Sequence, residues 1–135
     1  MSVLRCLGAA SLLVLGGCVA ASGDSTTGSA TALADTISRA SICGAGTPRA
    51  NTLDRFLAAE RAAGAGEEQI AAARSAYVGV SEAQMVNLTV RPEPCTRRER
   101  TELRQRMQRI RSGDFARSTA SVIASLTRAM RLQFA

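Results

Sequence analysis

The chain has 135 residues, enough for one small domain, and is 46% hydrophobic but only 3% aromatic, with no Trp and a formal net charge of +6. Low aromatic content favours a core of aliphatic residues packed as helices rather than sheets. The chain contains no His, and all 17 of its basic residues are Arg. This composition excludes a histidine general base, a histidine metal ligand and lysine Schiff-base chemistry.

The amino-terminal segment predicts a targeting signal. Arg5 precedes an uncharged apolar run of 11 residues, 7–17, whereas a helix that crosses a bilayer needs about 20. Residues 1–17 are therefore interpreted as a cleaved signal peptide. Cleavage by the general signal peptidase after Ala21 would instead release a soluble secreted protein.

Residues 15–18, Leu-Gly-Gly-Cys, resemble the lipobox of bacterial lipoproteins. The resemblance implies that Cys18 receives diacylglycerol and a further acyl chain such as palmitate, and becomes the first residue of the mature chain. It also implies a lipid-anchored, periplasm-facing protein of the cell envelope. Val19 in place of Asp favours the outer membrane over the inner membrane. The resemblance covers residues 1–18 alone.

Residues 19–32 consist of Ser, Thr, Gly, Ala and Val with a single charge, Asp24. Such a segment buries too little apolar surface to offset its ordering entropy, so residues 18–32 are predicted to form a lipidated Cys and a flexible tether. The folded domain is predicted to occupy residues 33–135.

The domain is predicted to be all-α, a small bundle of four or five short helices with one disulfide. Thr47 with Pro48 and a Thr96/Glu99 capping box mark two helix starts, and Gly113 marks a helix end. In residues 79–95, Ser81 to Gln84 could cap a short helical turn, whereas Met85–Val90 alternates apolar and polar residues and is expected to be extended. The predicted helices cover 33–42, 48–63, 67–78, 97–112 and 115–133.

Helical spacing also selects the side chains expected in the core. They are Leu33, Ile37, Ala40, Ala50, Leu53, Phe56, Leu57, Ile70, Ala73, Tyr77, Leu103, Met107, Ile110, Phe115, Val122, Ile123, Leu126 and Met130.

Four cysteines reduce to two that can pair. Cys6 leaves with the signal and Cys18 is acylated, so Cys43 and Cys95 are predicted to form a disulfide in an oxidising compartment. The alternatives are a redox-active pair or a metal pair. A redox pair would need a Cys-x-x-Cys spacing or a neighbouring base, and neither applies here. A metal pair would need His or nearby acids, and the two cysteines are expected to have neither. No metal and no cofactor are expected.

Charge is concentrated near the carboxyl end. Residues 97–111 contain seven Arg, and on a helix four of them line one flank of the Leu103/Met107/Ile110 stripe. This flank is either a solvated face that maintains solubility, or a site that binds phosphate or carboxylate groups of an envelope protein, lipid or wall polymer. The four residues proposed to bind an anionic partner are Arg97, Arg100, Arg104 and Arg111.

Nucleic acid is not an expected partner, because export separates the protein from the genome and Tyr77 is its one polar aromatic residue. An enzyme would have to use carboxylates, as in glycoside hydrolysis of the wall. The candidate acids, Glu60, Glu67, Glu68, Glu82, Glu93, Glu99 and Glu102, lie mostly at helix starts or beside Arg. We therefore expect a non-catalytic adaptor or accessory lipoprotein; the alternative is a small inhibitor, immunity or exclusion lipoprotein, such as phage-type elements place in the envelope.

Overall fold

A computed structural model describes residues 21–91 and 93–116, with side chains described from residue 26 onward. These ranges contain four helices, α1 (Ala21–Ile42), α2 (Thr52–Ala62), α3 (Glu67–Val90) and α4 (Arg97–Ser112), and no strand. The predicted all-α fold is confirmed. The predicted signal peptide and Cys18 lie outside the described residues. Phe115 and Ala116, the first two residues of the predicted last helix, are helical; its other residues lie outside the described ranges.

Helix α1 lies at the centre of the described structure and packs along α3 and against α4. Its side chains are buried on several sides, and most of them are small. Because small side chains allow neighbouring helices to approach closely, many of the small residues of α1 are packed in the interior and are not exposed to solvent. The buried residues of α1 include Thr26, Ala30, Ala32, Leu33, Ala34, Thr36, Ile37 and Ala40.

The predicted flexible tether is therefore wrong for residues 21–32, which form the first part of α1. The Ser, Thr and Ala composition that suggests a linker instead supplies the small side chains of a packed helix. Thr26 and Ala30 are buried at 4% and 0% exposure. Burial against neighbouring helices outweighs weak intrinsic helix propensity.

Helices α2 and α3 form an antiparallel hairpin. Arg61 pairs with Glu67 beside the loop, and Asp54 pairs with Arg74 further along. The predicted start of α2 at residue 48 is wrong. The backbone N–H and the hydroxyl of Thr52 both donate to the carbonyl of Arg49, forming a turn before the helix. Ala50, predicted to be buried, is exposed in this turn.

Helix α3 continues through residues that the sequence predicts to be extended. Residues 79–90 belong to the 24-residue helix Glu67–Val90, and residues 93–96 lie outside any helix or strand. The alternation in Met85–Val90 does not produce a strand, because a strand needs a partner and none exists in the described ranges. Instead Met85, Val86 and Val90 are exposed on the helix surface.

Helix α4 begins and ends at the predicted residues. Thr96 and Glu99 form the predicted capping box, and Gly113 closes the helix with a φ of 90°. The Cys43–Cys95 disulfide and the Arg39–Glu99 pair place the start of α4 antiparallel to the end of α1. Phe56 and Phe115 meet edge to face within the core, with ring centroids 5.7 Å apart.

Candidate functional site

The orientation of α4 follows from its apolar stripe. Leu103, Met107 and Ile110 are at most 5% exposed and belong to the main core. Gly46, in the loop after α1, lies directly against the Met107 side chain. Because these three residues face inward, the remaining faces of α4 carry its seven Arg to the surface.

The four Arg predicted to bind an anion are all exposed, but they are not equivalent. The Arg100 Nη2 atom donates to the backbone carbonyl of Cys95 at 3.1 Å, so this guanidinium holds the segment that carries the disulfide. Arg97, Arg104 and Arg111 have no ion-pair or side-chain hydrogen-bond partner within the described part of the chain. These three guanidinium groups are available to a ligand.

The opposite flank of α4 is partly neutralised. Arg98 pairs with Glu102 one turn later, with Nε and Oε1 2.9 Å apart. Arg106 is half-buried and lines a cavity together with Asp35 of α1 and Glu102, and Arg109 is exposed. Because acids compensate part of the charge on the opposite flank, the flank of Arg97, Arg104 and Arg111 is the more positive side of α4.

A further Arg reaches the carboxyl end of α4 from another helix. Arg55 of α2 donates from Nη1 to the backbone carbonyl of Arg111 at 3.2 Å. This interaction places an additional positive charge at the end of the flank. No sequence pattern marks it, because the two residues are 56 positions apart.

A cleft of about 560 Å³ lies between α1, the carboxyl end of α3 and the start of α4. No sequence pattern predicts it, because its lining comes from three separate segments of the chain. Its charged lining residues are Asp35, Arg39, Arg91, Glu93 and Glu99.

Three of the five charged groups of the cleft have a hydrogen-bond partner within it. The Arg39 Nε atom donates to Glu99 Oε1 at 2.6 Å, and Gln84 of α3 donates to Asp35 at 2.7 Å. The hydrogen bond from Arg39 holds the pKa of Glu99 below its usual value, and the same bond raises the pKa of Arg39. A general acid needs a raised carboxyl pKa, so Glu99 is suited to ion pairing rather than to proton donation.

The predicted disulfide between Cys43 and Cys95 is confirmed, with the two Cα atoms 5.6 Å apart. The expectation that the cysteines have no acid nearby is wrong. A carboxylate oxygen of Glu99 lies within 4.8 Å of both sulfur atoms. The two sulfurs are bonded to each other and Glu99 is engaged by Arg39, so the three groups are not free to ligate a metal.

The Tyr77 hydroxyl belongs to the one polar aromatic residue of the chain. Tyr77 packs half-buried against the core, and burial raises its pKa, while a hydrogen bond with Ser81 acts in the opposite direction. The hydroxyl therefore stays protonated at neutral pH. It serves the packing of α3 rather than the basic flank of α4.

None of the helices in the described ranges is both long enough and apolar enough to cross a membrane. Comparison of the chain with protein-family models, with curated protein sequences and with solved structures found no match.

Proposed function

We propose that this protein is a non-catalytic lipoprotein of the bacterial cell envelope that binds an anionic envelope component through α4. The observation that carries the proposal is the exposed flank of Arg97, Arg104 and Arg111, which lacks compensating acids in the described structure. Guanidinium groups bind phosphate and carboxylate through paired hydrogen bonds. The three guanidinium groups are exposed and make no ion pair within the described residues, so they are free to bind such a partner.

The lipid anchor is proposed at Cys18, on the strength of the lipobox. Helix α1 begins at Ala21, three residues further on, so at most about 11 Å of chain separates the anchor from the domain. Acylation of Cys18 would therefore hold the domain close to the headgroups, without a long tether. Val19 supports placement in the outer membrane, facing the periplasm.

The anchor is tested by mass spectrometry of the protein purified from the membrane fraction of its host. We expect an amino-terminal peptide that begins at an acylated Cys18, and a Cys18→Ser variant that remains in the unprocessed form. A native chain that begins after Ala21 without acyl groups would refute the anchor.

Binding is tested by co-sedimentation of the protein with isolated wall material and with anionic phosphatidylglycerol vesicles. Arg97→Gln/Arg104→Gln/Arg111→Gln should lose binding to the material that wild type binds. A control variant, Arg49→Gln/Arg98→Gln/Arg109→Gln, removes the same charge from exposed positions elsewhere. Equal binding by wild type and the first variant would refute the role of this flank.

A further inference from the structure

We infer that the ligand of α4 is a linear polymer of phosphate groups that lies along Arg97, Arg104 and Arg111, which we call the arginine row. This inference rests on the proposed function and names the chemistry of its partner. The three Arg follow one another at intervals of seven residues. Each interval is nearly two helical turns, so the row rotates by only about 20° per step and is almost straight.

The length of the row selects an extended ligand. Successive members rise by about 10 Å along the helix, so the row spans about 21 Å between its end Cα atoms. One phosphate group cannot reach guanidinium groups placed so far apart. A chain that carries many phosphates can reach all three, with one or more groups at each Arg.

Uncharged polar residues lie beside the row. Thr101 and Gln108 are exposed on the same side of α4, and Gln108 falls between Arg104 and Arg111 along the chain. The Gln108 amide offers hydrogen-bond donors and acceptors that do not repel a polyanion. No acidic side chain of α4 interrupts the row, so a phosphate polymer can follow its whole length.

The same surface fits a bilayer poorly. Helices that lie in a membrane interface insert large apolar side chains among the acyl chains. In α4 the large apolar side chains are Leu103, Met107 and Ile110, and all three are buried in the core. The exposed surface of α4 therefore offers charge and amides, but no side chain to enter the lipid.

The test measures binding of full-length protein to labelled long-chain polyphosphate by fluorescence anisotropy, at several salt concentrations. Tripolyphosphate, polyglutamate and phosphatidylglycerol vesicles are the comparison ligands. We expect the long chain to bind at least about tenfold more tightly than tripolyphosphate. The logarithm of Kd should rise with the logarithm of salt concentration with a slope of about 2, because each of the three Arg displaces counterions from the polymer.

Two variants test the row. Arg97→Gln/Arg104→Gln/Arg111→Gln should weaken binding about tenfold or more and reduce the salt slope by about 0.7 for each Arg replaced. Arg104→Gln/Gln105→Arg keeps the net charge and moves one guanidinium by about 100° around α4. It should also weaken binding, whereas the charge-matched control Arg49→Gln/Arg98→Gln/Arg109→Gln should retain binding within about threefold.

The inference is wrong if tripolyphosphate binds as tightly as the long chain, or if the control variant loses as much affinity as the row variant. Binding to vesicles or polyglutamate without binding to polyphosphate would overturn it while leaving the proposed function in place. Absence of binding to every anionic ligand, including wall material, would overturn both. Circular dichroism of each variant verifies that the helices are intact.

Discussion

Glu99 connects more parts of this molecule than any sequence pattern around it suggests. It pairs with Arg39 of α1, and its backbone N–H donates to the Thr96 hydroxyl at the start of α4. Its carboxylate also lies beside the Cys43–Cys95 disulfide. The sequence predicts the cap, because Thr96 and Glu99 are three positions apart, but it contains no signal for a pair 60 positions apart.

The Arg39–Glu99 pair makes stability depend on pH. Because the folded-state pKa of Glu99 is lowered, the pair stabilises the protein above the unfolded pKa, about 4.3, and this contribution disappears as the pH falls through the folded pKa. Glu99→Gln keeps an amide oxygen for the cap but removes the charge. At pH 7 we expect this variant to be less stable by about 1 kcal/mol, because both side chains remain partly exposed.

Urea unfolding of wild type and Glu99→Gln at a series of pH values measures this effect. The difference in the free energy of unfolding should shrink toward zero as the pH falls through the lowered pKa of folded Glu99, because the carboxyl group then becomes neutral in both states. A difference that stays constant over this pH range would contradict the assigned role of the ion pair.

Two glycines with different surroundings should respond oppositely to alanine. Gly113 has a φ of 90°, and a Cβ atom there would lie 2.8 Å from Arg55 Nη2, so Gly113→Ala should cost about 1–2 kcal/mol. Gly79 lies within α3, and a Cβ atom there meets nothing within 4 Å among the described residues. Gly79→Ala should raise stability by about 0.5–1 kcal/mol. Thermal unfolding of both variants checks the two signs, and a shift in the same direction for both would contradict this reasoning.

At the scale of elements, the capping box should stabilise the first turn of α4. The Thr96 hydroxyl accepts from the Glu99 N–H at 3.1 Å, and Thr96→Ala removes this acceptor. We expect the free energy of unfolding to fall by about 1 kcal/mol, whereas Thr96→Ser should stay close to wild type because Ser caps equally well. Equal stability of the Ala and Ser variants in urea unfolding would show that another group satisfies the helix end.

A comparison of predicted and observed helix ends shows which sequence signals are sufficient to locate a helix. For α4 a capping box, an apolar stripe and a terminal Gly agree, so its prediction matches the structure. In α1 the residues before Leu33 are small and polar, and their helical state depends on burial against other helices. Local patterns cannot reveal burial that distant segments provide.

Helix α3 departs from its predicted end for a related reason. The alternation in Met85–Val90 matches a strand as well as a helix over so few residues, and the outcome depends on what lies beside it. Gln84 anchors the preceding turn to Asp35 of α1, and the helix continues from there. The side chains of Met85, Val86 and Val90 are exposed, so no core periodicity marks these residues as helical.

At the scale of the whole molecule, the disulfide connects two regions that are distant in the sequence. Cys43 follows the central helix, and Cys95 precedes the Arg-rich helix 52 residues later. The bridge, the Arg39–Glu99 pair and the hydrogen bond from Arg100 to the Cys95 carbonyl all lie at this junction. The position of the arginine row relative to α1 is therefore set by a covalent bond and two charged interactions.

Removal of this bridge should destabilise the domain more than any of the single substitutions above. In the chain-entropy treatment a closed loop of about 53 residues contributes about 4 kcal/mol, a large share of the total stability of a small domain. We expect Cys43→Ser/Cys95→Ser to lower the free energy of unfolding by about that amount, with helical circular dichroism retained at low temperature. Wild type kept in reductant should behave as the double variant does, because both lack the same crosslink. A double variant as stable as oxidised wild type would contradict this expectation. It would show that non-covalent packing alone holds the start of α4 against the end of α1. The arginine row would then keep its position relative to α1 under reducing conditions.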